Sequence, residues 1–157
     1  KLKSGLENRC RVAEMRIKLL ELTEKEPVIY MWWFKSNVAA MILPQIGENV
    51  LNPRIMHDKI DGDDYMALYL GKGKSCRQRF DWHIRQRHDE RTVRHGFLST
   101  LRQTICGLLE INAVDNEDRI NAFMDRNCVL DWTCFPGMDA VGLSQLEKER
   151  IANEKEN

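Results

Sequence analysis

At 157 residues, 43% hydrophobic and 31% charged, the chain is long enough for one domain with its own core. Lys plus Arg number 24 and Asp plus Glu number 24, so the net charge is zero and any affinity for a polyanion must come from a local surplus. No apolar run approaches the roughly 18 residues that cross a bilayer, and the five scattered cysteines form no Cys-x-x-Cys pair. A membrane span, a disulfide frame and a zinc site are thereby disfavoured. The expected setting is a reducing cytoplasm, with no disulfide partner.

Taken in order, residues 6 to 22 read as a helix, because Leu6, Cys10, Ala13, Ile17 and Leu20 recur at three- and four-residue steps. Pro27 closes this N-terminal helical extension, placed at 1–26. Val28 to Phe34 is a continuous apolar and aromatic run, which fits a strand buried on both faces. Residues 35 to 65 read as an excursion, with Pro44, Asn52-Pro53 and Asp61-Gly62 as breaks and turns. Asp61, Asp63 and Asp64 lack the spacing of a calcium loop and read as a solvated turn. A second strand, Met66 to Gly71, returns beside the first.

Further strand and helix signals complete the chain. Phe97 to Glu110 carries a helical stripe of Leu98, Leu101, Ile105, Leu108 and Leu109. Glu117 to about Asp125 is a shorter helix behind Asn116. Cys128 to Phe135 reads as a third strand, Pro136-Gly137 as a turn, and Asp139 as the cap of a last helix reaching about Asn153. The expected architecture is α+β: a small three-stranded antiparallel sheet flanked by helices, in one domain over 27–157 with an insertion at about 35–65.

The chemistry concentrates between Tyr69 and Ile84. Gly71 and Gly73 punctuate a basic loop, and Ser75 is placed to cap the helix that follows. On that helix Arg79 and His83 are four residues apart and share a face. From Lys72 to Arg102 nine Lys or Arg oppose three acids, a local surplus of six, and His83, His88 and His95 lie in the same window. Such a window suits a phosphodiester. It equally describes an exposed helix with solvated charge.

These residues resemble the GIY-YIG nuclease family. The first of its two tyrosine motifs is matched by Val28-Ile29-Tyr30, with Val where the family has Gly, and the second by Tyr69-Leu70-Gly71. The family arginine lies ten residues after the second tyrosine, which selects Arg79, and several members place a histidine four residues later, which selects His83. The family's glutamate helix resembles Leu146-Glu147-Lys148-Glu149-Arg150-Ile151, so Glu147 is the corresponding carboxylate and Glu149 the alternative register. The excursion between the tyrosine strands is longer than the family's usual short turn.

The resemblance implies a metal-dependent DNA endonuclease. Glu147 would hold one divalent ion, Mg2+ or Mn2+. Arg79 would bind the scissile phosphate. Tyr30 is expected as the base that takes a proton from water and Tyr69 as the positioning residue, provided nearby positive charge favours phenolate. His83 would accept the tyrosine proton or touch phosphate, or serve structure alone. Lys72, Lys74, Arg77 and His95 are candidate DNA contacts, and Trp82 either packs or stacks on a base. The alternative function is a non-cleaving nucleic-acid-binding or regulatory module on the same fold. DNA specificity and oligomeric state are open.

Overall fold

Every residue from Val28 to Phe34 is buried in strand β2 (Val28–Lys35), which lies at the centre of the sheet. The computed structural model describes residues 2–21, 25–46, 56–96 and 98–156, with the backbone alone for 43–46 and 151–156. Strand β4 (Asp63–Gly73) pairs with one edge of β2 and β5 (Cys128–Cys134) with the other, both antiparallel. A strand with neighbours on both edges and helices on both faces meets no water, which explains an unbroken apolar run in place of an alternating one.

The fold is α+β, but the sheet has five strands, not three. Its order is β1-β5-β2-β4-β3, where β1 is Asn8–Arg11 and β3 is His57–Ile60. Both added strands are four-residue edges of polar sequence, Asn-Arg-Cys-Arg and His-Asp-Lys-Ile, so they carry little of the apolar signal that marks a central strand. The helix expected over 6–22 is corrected accordingly. Among the described residues it is β1 followed by helix α1 (Val12–Lys18), and Leu22 lies outside them. The buried stripe of this segment is Val12, Met15 and Leu19; Ile17 and Leu20 face solvent at 73% and 63% exposure.

The excursion is structured as well. Helix α2 (Ser36–Ile46) runs through Pro44 and packs Ala39 and Ile42 into the core, and a tight turn at Asp61-Gly62, both at positive φ, joins β3 to β4. The expected Asn52-Pro53 turn lies outside the described residues. Helices α3 (Cys76–Arg85), α4 (Glu90–Arg94), α5 (Thr100–Leu109), α6 (Glu117–Asn127) and α7 (Ala140–Glu156) follow. Phe97, the expected start of α5, lies outside the described residues. Ser75, Ser99 and Asp139 each accept a backbone N–H at a helix start, the first and last as expected.

Alternation along β2 divides the core into two layers. Val28, Tyr30, Trp32 and Phe34 point into a layer shared with α1, α2, α3, α5 and α6. Ile29, Met31 and Trp33 point the other way, against Leu143 and Leu146 of α7. No disulfide joins any of the five cysteines, and no described helix is long and apolar enough to cross a membrane.

Candidate active site

Two strands bring the tyrosines together. Tyr30 on β2 faces Gly71 on β4, and Trp32 faces Tyr69. A bulge follows, where Leu68 is the extra residue between the Trp32 and Trp33 pairings. Bulges re-aim side chains, and here Leu68 and Tyr69 both join the layer that contains Tyr30. The rings of Tyr30 and Tyr69 lie 6.2 Å apart between centroids. Gly71 leaves space for this arrangement: a Cβ there would come within 2.4 Å of Tyr30 Cζ. Gly73 does the same for Arg79, since its Cβ would lie 2.9 Å from both Cβ and Nε of that residue. The two glycines are thus clearances for two candidate site residues.

Helix α3 supplies the next groups. Phe80 and Ile84 anchor it to the core, so His83 packs against both tyrosine rings and the Arg79 charge acts on the Tyr30 hydroxyl. The Tyr30 hydroxyl and His83 Nε2 are 2.9 Å apart, within one hydrogen bond. Burial pushes the His83 imidazole down to about 3, with the positive charges of Arg79 and Arg102 acting in the same direction, so the ring is neutral. Burial, reinforced by Tyr69, raises the Tyr30 phenol above its ordinary range, outweighing Arg79. The pair is therefore a neutral phenol on a neutral imidazole. His83 Nδ1 and Trp32 Nε1 are both buried without a hydrogen-bond partner.

The carboxylate comes from α7. Glu147 lies 3.3 Å from the Lys72 ammonium, which also donates to the Ser144 hydroxyl at 2.7 Å. The Glu147 charge reaches the Tyr30 hydroxyl, where it opposes phenolate. One cluster therefore contains Tyr30, Tyr69, Lys72, Arg79, His83 and Glu147. Lys74 is exposed and shares a cleft of about 190 Å³ with Ser75, Gln78, Arg79 and Trp82. Arg77 is two residues from Arg79 and points to a different side of α3. His95 is exposed at the end of α4, on a separate element from the cluster.

Residues 28–156 match the GIY-YIG catalytic domain. The chain belongs to the GIY-YIG family. No curated protein and no solved structure matches it. Membership places the chain among nuclease domains, whose substrates are nucleic acids and which generally depend on a divalent metal. The GIY-YIG match begins at β2, so β1 and α1 precede it.

The residues present fit a hard divalent ion. Among the described residues there is no group of three or more His, Cys, Asp or Glu that could hold a metal. Glu147 instead offers a lone carboxylate beside the Ser144–Lys72 hydrogen bond, with its side chain 19% exposed. A single hard oxygen ligand with access to solvent suits a divalent ion that retains several waters.

Sequence reasoning missed one buried group of this GIY-YIG domain. Arg102 on α5 is fully buried and donates to the carbonyl oxygens of His83 and Ile84. It was counted only as part of the basic window. Its position on the apolar side of α5, one residue after Leu101 and three before Ile105, was the available signal.

Proposed function

We propose that the domain is a divalent-metal-dependent DNA endonuclease that hydrolyses phosphodiester bonds. The observation that supports this reading most is the Tyr30–His83 contact, enclosed by Arg79 on α3 and by the Lys72–Glu147 pair between β4 and α7. Arg79 binds the scissile phosphate and Lys72 supports it, so charge building on the phosphate meets two cations. Tyr69 positions the attacking water. Tyr30 takes the water proton as it gives its own to His83 Nε2, which is neutral and aligned to receive it.

Substrate binding assists that transfer. The Arg79 charge is one cause of the low His83 pKa. A phosphate paired with Arg79 offsets that charge, and the imidazolium becomes easier to form. The burial of Tyr30 supports a proton relay over a standing phenolate. Glu147 is the residue that would hold the ion. When bound, a divalent ion supplies charge neutralisation at the phosphate and acidifies water. Lys74 and Arg77 contact the DNA backbone outside the reacting phosphate, and His95 is a more distant contact.

Incubation with supercoiled plasmid and Mg2+ or Mn2+ tests this. Nicked and linear products are expected, and Glu147→Ala and Arg79→Ala should each lose them. Cleavage unchanged in Glu147→Ala removes that residue from the site. Salt-sensitive DNA binding with no cleavage of any DNA form replaces the enzyme with a binding module.

A further inference from the structure

Resting on the nuclease reading, we propose that the outer face of α3 is a nucleobase subsite. There Trp82 stacks on an unstacked base next to the phosphate held by Arg79. The substrate class this selects is DNA with an unpaired base beside the cut: a single strand, a flap, a bulge or a flipped nucleotide.

Four tryptophans are present. Trp32, Trp33 and Trp132 are 0%, 0% and 6% exposed, whereas Trp82 is 42% exposed. Trp82 belongs to neither layer of the core. The inward side of α3 is already supplied by Phe80, His83 and Ile84, so folding does not require an indole at 82. The Arg79 guanidinium carbon lies 5.0 Å from the Trp82 ring centroid. The cation for phosphate and the aromatic surface are therefore one assembly, with one residue for each part of a nucleotide.

The surface around the indole has the matching shape. The cleft of about 190 Å³ on the Lys74 and Arg79 side of Trp82 is continued by a second one on its other side. That second cleft is about 600 Å³, shares Trp82 and Gln78 with the first, and is completed by Asp81, Arg85 and Gln86. Its volume is in the range of small-ligand sites, roughly 300–1,000 Å³. The lining changes from cationic at the Lys74 end to carboxamides and the Asp81–Arg85 ion pair at the other. Gln86 Oε1 accepts the Ser99 N–H at 2.7 Å, which fixes this side chain at the edge of the cleft. Asp81 Oδ1 is ion-paired with Arg85 Nη1 at 3.8 Å, and the rest of the Asp81 carboxylate is open to solvent. A solvent-accessible carboxylate oxygen repels phosphate but accepts from the amino group of a base. Bases inside a duplex are stacked on each other and cannot lie on Trp82, and this is what restricts the substrate.

The test uses intrinsic tryptophan fluorescence, in which Trp82 is the exposed reporter among four. A short single-stranded oligonucleotide, the same strand with one abasic site, and the blunt duplex are titrated into the protein with EDTA present to keep the strands whole. The single strand should quench strongly, and the abasic strand and duplex weakly. Trp82→Ala should bind the single strand roughly five- to 150-fold more weakly, the range of one lost base stack. Trp82→Phe should recover most of that loss, with circular dichroism confirming that both variants fold. Equal affinity of Trp82→Ala and wild type for the single strand, or equal quenching by duplex and single strand, overturns the subsite. Plasmid nicking is followed in parallel. If wild type and Trp82→Ala nick equally and bind single strands equally, the nuclease stands and the subsite falls. If neither nicks but Trp82-dependent binding persists, the subsite stands and the nuclease reading falls.

Discussion

Arg102 Nε donates to the carbonyl oxygen of His83 at 2.9 Å, from a side chain with no exposed surface. The same guanidinium reaches Ile84 O, Asn121 Oδ1 at 2.8 Å and His88 Nε2 at 3.0 Å. Arg16, itself paired with Asp125, also donates to Ile84 O. The last carbonyls of α3 are thus satisfied by two arginines from α5 and α1, as helix C-termini favour cations. Arg102 thereby holds the helix that carries Arg79 and His83. Arg102→Met leaves Ile84 O with Arg16 but takes the Arg102 donor from His83 O, Asn121 Oδ1 and His88 Nε2, at about 1–3 kcal/mol for each buried acceptor left unpaired. Urea unfolding should show a loss of about 3 kcal/mol or more with an unchanged m value.

Acid should destabilise the protein earlier than carboxylate titration alone would. An unfolded histidine titrates near 6.5, while folded His83 is held down to about 3. Below about pH 6.5 the unfolded chain takes up a proton that the folded one does not. Stability therefore falls with acidification through the window from about 6.5 to 3, at up to about 1.4 kcal/mol per unit. His88 acts in the same direction. Its pKa is lowered mainly by burial, its Nδ1 donates to Ala113 O at 2.9 Å, and its Nε2 accepts from Arg102. Urea midpoints at pH 7 and pH 5 check this, and His83→Gln should flatten the slope between them.

The legible parts of this chain were those where one local signal had one structural outcome. The run Val28–Phe34 required burial on both faces, and the glycine loop ending in Ser75 required a strand-to-helix corner. Both formed where the sequence placed them. The edge strands were not legible, because Asn8–Arg11 and His57–Ile60 owe their conformation to β5 and β4, not to their own composition. The apolar stripe of α1 was read from Ala13, Ile17 and Leu20, and the sheet selected Val12, Met15 and Leu19. At the candidate site, the resemblance to the family's motifs selected Tyr30, Tyr69, Arg79 and His83, on elements that do meet. The Lys72–Glu147 pairing spans 75 positions and is set by how α7 lies on the sheet, which no local pattern records.

The glycine clearances give a steric prediction. Gly71→Ala would drive a methyl to 2.4 Å from Tyr30 Cζ, and the ring is packed against Phe80 and His83. Overpacking of this kind costs about 1–3 kcal/mol. The ring must move, and the 2.9 Å contact with His83 breaks. Nicking should fall by roughly 100-fold or more, as expected for loss of proton transfer. Gly73→Ala meets Arg79 at Cβ, where the side chain cannot swing away. It should weaken substrate binding more than it lowers thermal stability. Plasmid nicking and thermal melting of both variants distinguish the two effects.

Tyr30→Phe and Tyr69→Phe separate the relay from phenolate chemistry. Each removes one oxygen and keeps the ring. Tyr30 is 1% exposed and its hydroxyl contacts His83, so Tyr30→Phe strands the imidazole nitrogen and lowers stability by about 1 kcal/mol. If Tyr30 transfers the water proton to His83, this variant loses roughly 100- to 10,000-fold in nicking rate. Tyr69→Phe, which lacks a direct place in the relay, should lose less. The pH profile at saturating metal decides the protonation state. A neutral Tyr30–His83 pair is active without prior loss of a proton, so its contribution is flat from pH 7 to 9. A required phenolate, with its pKa raised by burial, would make the rate climb about tenfold per pH unit over that range. A climb that persists in His83→Gln would assign the reaction to the phenolate and reduce His83 to a structural support.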